Sequence, residues 1–461
     1  MDMQAQREQE LKIAQTLPAS MRYSIGSADA VSSSTVERMF ETNNGNVFSP
    51  SGSNELRIPV HSGMGFLDTA KHHLEFTIKN KGGVAASSLD GDISCIIDQV
   101  RIEMAESGEI ERLDGYSVLH NLKSVWNASY TDREMRNGRS GGPVPAINNA
   151  TNGNSLAHTS GSATFSTQID SGFLMGHHKK ALPMGINSFT IVIRLNTAAV
   201  ALIAENNATT PDYEISNARF YCPVYQLDDA LIVQSYLAKV QTSGLQWTGD
   251  TNKLYMGNLS SGASTKVVQL NDRSLSLKGF VTVLRPSATY NDSKRATNSS
   301  FNVTGCTQYH YSLGGMNYPQ TPININTADE GLNIARAYDQ CLKTFASAGH
   351  AYSEPLVNKS KFVLGDAPAT VAAAAGPPAV VLVTAATQGA VTGQGALCLD
   401  TRRFDSERIS MVGLNTAKSA SPSTLQIVTS ADFAADTITN TYAIVEAEYV
   451  MKPNGNIAVN V

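Results

Sequence analysis

The histidines are the first residues to consider for metal binding or proton transfer in this chain of 461 residues. His72–His73 falls in a stretch predicted to be a strand, where successive side chains point to opposite faces, so the two rings cannot bind one metal ion together. His177–Lys180 reads His-His-Lys-Lys and could contact an anion or a partner. We expect both histidine pairs to be solvated or to lie at an interface. His120 falls in a predicted helix, where we expect it to be hydrogen-bonded or exposed.

Motifs for covalent or phosphate chemistry give no support for catalysis. Neither His-Glu-x-x-His nor Cys-x-x-Cys occurs. Gly138–Gly142 (Gly-Arg-Ser-Gly-Gly) lacks the Gly-Lys-Ser/Thr ending of a phosphate-binding loop and follows no hydrophobic strand. We therefore predict a flexible loop there, and neither a phosphate loop nor a nucleophile elbow.

Clusters of charged residues also have simple structural interpretations. The acidic residues between Glu103 and Glu111 surround a Ser-Gly turn, which predicts a solvated hairpin. Arg402–Arg408 carries both signs of charge and predicts a salt-bridge cluster at the surface or between subunits. No carboxylate pair is marked out for glycoside hydrolysis. We predict no catalytic residue, no cofactor-binding residue and no metal site, and a protein that is not an enzyme.

Composition excludes further classes of function. A net charge of −5 provides no basic surface for nucleic acid, so direct sequence-specific binding to nucleic acid is not expected. Only 16% of the residues are charged, below the typical value of about 25%. That deficit is typical of β-rich proteins with long loops and of proteins that bury much of their exterior against neighbours.

The five cysteines are odd in number, widely scattered and without metal-ligand spacing. No secretory signal pattern is visible, so we expect reduced thiols in an intracellular setting. The uncharged stretch Ala367–Leu399 is broken by Gly-Pro-Pro, and its longest strongly apolar piece is Ala379–Val383. That piece is far shorter than the ~20 residues of a membrane span, so we predict a long loop containing a strand.

The apolar pattern that would position any site occurs twice, once in each half of the chain. Alternating or continuous apolar runs predict strands, and residues at spacings of three and four predict one short helix in each half. In the first half these segments are Leu56–Val60, Leu74–Ile78, a helix over Arg112–Trp126, Phe189–Leu195 and Ala218–Leu227. In the second half they are Leu275–Leu284, a helix over Asp329–Ala346, Thr424–Val428 and Tyr442–Met451.

Two copies of one β-rich module follow from this repeat, and we predict three segments. Residues 1–40 form an N-terminal arm, residues 41–244 the first module and residues 245–461 the second. A helical connection is expected over Asp228–Val240, followed by a Gly/Ser-containing junction over Gln241–Ser264.

Several short runs, in this order, resemble a known family. They are Leu56–Val60, Gly65–Asp68, Leu74–Phe76, Ile110–Leu113 with Tyr116 and Leu119–Asn121, Leu182–Gly185, Arg273–Gly279, Ser410–Thr416 and Pro453–Asn456. Together they are similar to segments of double-jelly-roll major capsid proteins, in particular those of polinton-like viruses and virophages. Each run alone is a weak signal, and their order and the twofold repeat give the resemblance its weight.

This resemblance implies an all-β fold of two tandem eight-stranded jelly-roll sandwiches, each with a short helix. It also implies a homotrimer that forms a pseudo-hexagonal capsomer in the shell of an icosahedral DNA virus. The implied partners are neighbouring capsomers, and penton and minor capsid proteins, whereas contact with an internal membrane is left undetermined. The protein would be found in the virion and assembled inside the host cell.

Two other classes of function stay open at this point. A viral spike or a carbohydrate-binding β-sandwich module could use the same fold, and aromatic-lined loops would favour it. An enzyme built on a bicupin-like double barrel would need clustered histidine and carboxylate ligands on strands, and the histidines are scattered.

Overall fold

The structure is a computed structural model and describes most of the chain after residue 32. The described residues are 33–61, 65–81, 87–104, 107–127, 139–141, 155–156, 162–175, 181–183, 188–204, 211–228, 230–291, 297–299, 301, 303, 305–325, 334–346, 357, 362, 395–402, 412–419, 421–431, 433, 435–452 and 456–461.

Strands dominate both halves. The first half contains β1 (Ser33–Glu41), β2 (Val47–Phe48), β3 (Glu55–Val60), β4 (Phe66–Leu67), β5 (His73–Asn80), β6 (Ser87–Leu89), β7 (Ile97–Met104), β8 (Gly108–Asp114), β9 (Ser155–Leu156), β10 (Ser162–Thr167), β11 (Leu182–Pro183), β12 (Phe189–Leu195), β13 (Leu202–Ala204) and β14 (Tyr213–Leu227). The second half contains β15 (Leu245–Leu259), β16 (Thr265–Gln269), β17 (Leu277–Pro286), β18 (Cys306–Leu313), β19 (Met316–Asn324), β20 (Leu397–Asp400), β21 (Thr424–Thr429), β22 (Thr437–Met451) and β23 (Ile457–Asn460).

Helices are few and short among the described residues. They are α1 (Tyr116–Asn127), α2 (Ala198–Ala201), α3 (Ala230–Ser243) and α4 (Ala335–Ala346), with 3-10 turns at Thr69–Lys71, Ile93–Ile96 and Ser287–Thr289. The α1 helix follows β8, and α4 follows β19, so each half carries its longer internal helix at the same place.

The two halves share one strand order. In the first half one sheet runs β10-β5-β14 with β1 on the other side of β14, and the second sheet runs β3-β12-β7-β8. In the second half the matching sheets run β20-β17-β22-β15 and β16-β21-β18-β19. All of these pairings are antiparallel. Each half is therefore an eight-stranded sandwich, and the predicted all-β fold of two tandem sandwiches is confirmed.

Period-two patterning places the core between the two sheets of each sandwich. Leu56, Ile58 and Val60 on β3 are fully buried, and their neighbours are half-buried. Leu74, Phe76 and Ile78 repeat the pattern on β5. Burying a side chain of this size contributes about 1.5–3 kcal/mol relative to leaving it exposed, so the alternation fixes which face of each strand turns inward.

The first predicted helix is two elements in the structure. Residues from Gly108 to Asp114 form β8, which pairs with β7, and the helix begins at Tyr116 after Gly115, whose φ is +58°. The predicted start near Arg112 was therefore wrong by one turn, because cross-strand pairing with β7 holds that segment extended.

The predicted junction over Gln241–Ser264 was wrong. Residues 245–259 form β15, a strand of 15 residues that pairs along its whole length with β22. Glycine, aspartate and asparagine disfavour strands, but the complete ladder to β22 overrides that preference. The helical connection before it is confirmed as α3, which ends at Gly244 with φ of +75°.

Two further expectations fall partly outside the described residues. The start of the second predicted helix, from Asp329, lies there, and α4 is described from Ala335. Most of Ala367–Leu399 also lies there, and its described end enters β20.

Candidate functional site: the interface between the two sandwiches

The two hydrophobic cores exchange elements between the halves. The second core includes Val118, Leu119, Leu122, Val125 and Trp126 of α1, which belongs to the first half of the sequence. The Trp126 ring stacks on Phe345 of α4, with centroids 5.5 Å apart and planes 12° from parallel. The helix predicted in each half therefore packs against its counterpart.

The exchange is reciprocal. Trp247 at the start of β15 and Tyr449 near the end of β22 belong to the first core. Their rings stack at 5.6 Å, and Phe173 from the first half lies 5.6 Å from one and 5.7 Å from the other. Each core is therefore complete only when both halves are present.

Asp90 provides a polar connection between the halves. Its carboxylate accepts hydrogen bonds from the backbone N–H groups of Thr297 and Asn298, each at 2.6 Å, and from the hydroxyl of Ser299. Burial raises the pKa of the Asp90 carboxyl to about 6, although these donors oppose the rise. Asn298 extends the connection by donating from Nδ2 to the carbonyl oxygen of Val200 at 2.9 Å.

Glu111 has a similar role beside the aromatic cluster of Phe173, Trp247 and Tyr449. It accepts hydrogen bonds from the hydroxyl of Ser171 and from the N–H groups of Gly172 at 2.9 Å and Phe173 at 3.2 Å. Burial raises the pKa of its carboxyl. The predicted solvated hairpin is confirmed as the β7–β8 pair, but the solvated role was wrong for Glu111, which is buried to hold the segment after β10.

A cavity of about 310 Å³ lies between the halves. Its lining comes from both: Asp98, Arg112, Asp114, Gly115, Ser117, Val118, Arg194, Asn196 and Val200 from the first, and Leu254, Met256, Arg285, Tyr290, Asn298 and Asn440 from the second. These residues are far apart in the chain, so no local sequence pattern predicts that they line one cavity.

The structure separates the predicted histidine pair. His72 is buried and stacks on Phe220 at 5.4 Å, with Nδ1 against the carbonyl oxygen of Thr69 and Nε2 accepting from the N–H of Ile169 at 2.8 Å. The expected solvated position was therefore wrong for His72. His73 is half-buried and stacks on Tyr221 at 4.9 Å.

The remaining candidates for chemistry have structural environments. His120 is hydrogen-bonded as expected, with Nε2 3.3 Å from the Asp92 carboxylate. Ser140 is buried, and its hydroxyl donates to the carbonyl oxygen of Gly141. Arg402 pairs with Asp400 at 2.9 Å. His177–Lys180 and residues 403–411 lie outside the described residues.

The cysteines are unpaired and buried, as the expectation of reduced thiols requires; they are Cys95, Cys222, Cys306, Cys341 and Cys398. Within the described ranges, no group of three or more histidine, cysteine, aspartate or glutamate side chains is arranged to hold a metal ion. None of the helices described is long and apolar enough to cross a membrane.

Comparisons by sequence find no matching protein-family model and no matching curated protein. Comparison by structure finds strong similarity to viral capsid proteins. A chain of the PBCV-1 virus capsid superimposes with a TM-score of 0.59 at 9% identity, over 95% of this chain and 99% of the other. A chain of the Sputnik virophage superimposes with a TM-score of 0.56 at 12% identity, over 96% of this chain and 92% of the other. The mavirus major capsid protein superimposes with a TM-score of 0.51 at 11% identity, over 97% of this chain and 94% of the other.

This chain has the double-jelly-roll fold. The same strand order in both halves and the nearly complete overlap with three capsid chains establish that fold. The resemblance seen in the short sequence runs is confirmed at the level of structure. At identities of 9–12%, the shared feature is the fold and not a set of matched side chains.

Proposed function

We propose that this double jelly roll is the major capsid protein of an icosahedral DNA virus, and that it acts mechanically and not as a catalyst. The observation that carries the proposal is the overlap with whole capsid chains, which leaves almost none of this chain without a counterpart. The protein would be located in the virion after assembly in the host cell.

Three such chains form a trimer in this proposal. Each chain supplies two similar sandwiches, so a trimer presents six around its axis and has a pseudo-hexagonal outline. A threefold assembly is heterologous, so one side of a chain must fit a different side of the next. Neighbouring capsomers, and penton and minor capsid proteins, would then contact the outer edges of the trimer.

Exposed apolar side chains on edge strands support self-association. Val36 and Met39 on β1 and Val47 on β2 are each exposed by 44% or more. Met256 on β15 and Val267 on β16 are exposed by 58% and 59%. Edge strands of monomeric proteins are usually protected from pairing by charge or cover, so bare apolar edges on both sandwiches suit contact with a second copy.

We also propose the predicted domain limits, with residues 41–244 as the first jelly roll and residues 245–461 as the second. Their support is the start of β15 at Leu245, directly after Gly244. Residues 1–40 stay proposed as an arm between capsomers, although β1 already includes residues 33–40 in the first sandwich.

The interlocked cores provide a test of these limits. Fragments 1–244 and 245–461 should be insoluble or unfolded when produced alone, and should form a folded complex when co-expressed. Circular dichroism and size-exclusion chromatography would measure both. A soluble, cooperatively unfolding fragment 1–244 would contradict the mutual dependence of the cores.

The central experiment is the solution mass of the purified chain by light scattering, with negative-stain imaging of the same peak. Three times the chain mass of 49.2 kDa with hexagonal outlines is expected. A monomer that persists at high concentration would contradict the capsomer and favour a spike or carbohydrate-binding module. The double variant V36K/M39K should lower the trimer fraction, whereas the control M175K, at an exposed methionine outside the strands, should not.

A further inference from the structure

The cavity between the jelly rolls is lined by a buried cation that has unused hydrogen-bond donors. Arg285 lines the cavity, is only 4% exposed, and has its guanidinium carbon 4.2 Å from the centre of the Tyr290 ring. Its Nε and Nη2 atoms are buried without a hydrogen-bond partner in the described part of the chain. A buried guanidinium with unused donors is costly unless an acceptor, preferably an anionic one, reaches it.

The nearby buried acid does not fill this role. Asp90 interacts electrostatically with Arg285, but its two oxygens accept hydrogen bonds from Thr297, Asn298 and Ser299. Water could accept from Nε and Nη2, but it would bring no negative charge. The Nε and Nη2 edge of the guanidinium therefore lacks a hydrogen-bond acceptor among the described residues.

The cavity also offers a hydrogen-bond acceptor. Asn440 lines it, and its Oδ1 atom is buried without a partner among the described residues. The amide is oriented by Tyr442, whose hydroxyl donates to the carbonyl oxygen of Gly115 at 2.9 Å and so can only accept from Asn440. Oδ1 is therefore the atom left for a ligand, and it requires a donor.

The remaining charged side chains of the lining pair with one another. Arg112 bonds to Asp114 at 2.9 Å, and Arg194 bonds to Asp98 at 2.5 Å. These two pairs cancel in charge, so Arg285 sets the net charge of the lining. A volume of about 310 Å³ exceeds the ~30 Å³ share of one water molecule by far and accommodates a small oxyanion with its hydration.

We propose that this cavity binds a phosphate group that can carry one proton, either hydrogen phosphate or the monoanionic form of a phosphate monoester. Its charged oxygens accept from Nε and Nη2 of Arg285, and its O–H, where present, donates to Oδ1 of Asn440. Sulfate has the same shape but no proton to donate, so it should bind more weakly. Because the lining comes from both jelly rolls, the bound anion would strengthen their association, and the proposal does not depend on trimer formation.

The test uses the full-length protein in phosphate-free buffer at constant ionic strength. Calorimetric titration and the unfolding temperature would be followed with inorganic phosphate, a nucleoside monophosphate and sulfate. Saturable binding of phosphate or of the monophosphate, about tenfold or more tighter than sulfate, is expected. The two phosphate probes show whether the free anion or a monoester is the better ligand. Equal responses to phosphate and sulfate, or none to either, would overturn the proposal.

Variants tie the binding to the two residues. R285M should lose the phosphate response, and N440L should reduce the preference for phosphate over sulfate. R219M, which removes an arginine paired with Glu41 on the first jelly roll, is the matched control and should respond as the wild type does. If R285M does not fold, R285Q replaces it, since an amide carries neither the positive charge nor the paired donors of the guanidinium. Retained phosphate binding in R285M or R285Q would refute the site.

Discussion

The carbonyl oxygen of Gly172 occupies the space that a Cβ atom at position 249 would need. Gly172 follows β10 in the first half, and Gly249 lies in β15 of the second, so the backbones of the two jelly rolls approach each other closely at this point. A side chain at position 172 is also excluded, because its Cβ atom would lie 2.9 Å from the backbone carbonyl of Asp250.

G249A should therefore destabilise the chain by about 1–3 kcal/mol, the usual cost of overpacking. The clashing atoms are backbone and cannot rotate away. The measurement is the free energy of unfolding in denaturant. G52A is the matched control: its nearest neighbour is the Ser49 hydroxyl at 2.9 Å, which can rotate, so a change within about 0.5 kcal/mol is expected. Equal stability of the two variants would contradict the close approach.

The Trp126–Phe345 stack should contribute more to the free energy of unfolding than the glycine contact does. W126A should cost about 3–5 kcal/mol, the range for deleting a buried aromatic side chain. W126F should cost much less, since it keeps a ring, and Nε1 of Trp126 has no hydrogen-bond partner in the described structure. Denaturant unfolding of both variants would test this order. A similar loss in W126F would show that the indole has a partner the described residues do not include.

Asp90 should give stability a component that falls with rising pH. Its folded pKa, about 6, lies above the ordinary value of 3.8, so between these pH values the folded chain holds a proton that the unfolded chain releases. The contribution is complete below about pH 4 and is lost as the pH rises through 6. A difference of two pKa units corresponds to about 3 kcal/mol.

D90N isolates this effect. Its amide can keep the acceptor for the N–H groups of residues 297 and 298, and it cannot titrate. Subtracting its unfolding free energy from that of the wild type at each pH should leave a term that declines between pH 4 and 6. D90A removes the acceptor and should be destabilised at every pH. A flat difference curve for D90N would show that folding does not raise the pKa of Asp90.

His72 should make stability rise with pH, the opposite of the effect of Asp90, over nearly the same pH range. Burial lowers the pKa of His72 to about 4 from the ordinary value of 6.5, so the unfolded chain binds the proton first as the pH falls. Stability is lost between about pH 6.5 and 4, by up to about 3 kcal/mol. H72Q can retain an acceptor for the N–H of Ile169 and should flatten this part of the pH profile. An unchanged acid limb in H72Q would mean that other groups control it.

Sequence patterning was sufficient for the strands with one buried face and for the repeat. The alternating burial of β3 and β5 and the apolar stripe of α1 follow from the local periodicity of apolar residues in the sequence. The β22 strand shows the limit of that reasoning. Its alternation was visible, but Glu446 on the other face is buried as well. The segments at Ser276 and Val412 cover it, and its carboxylate accepts hydrogen bonds from the Ser276 hydroxyl and the Val412 N–H.

The interface could not be predicted in the same way. Asp90 and Asn298 are separated by 208 residues, and neither has a local signature. Residue clusters that were candidates for catalysis or metal binding, such as His72–His73, have no distinctive sequence context. Their surroundings come from segments far along the chain. Residues at such long-range contacts become recognisable only when the fold has brought them together.

The exchange of elements between the two cores also limits how a shell of these chains could deform. Rotating one jelly roll against the other would first expose the apolar surfaces of α1 and of the ends of β15 and β22 to water. In the proposed shell, we therefore expect the two jelly rolls of one chain to move together under load. In such a shell, curvature and strain would have to be absorbed at the boundaries between chains.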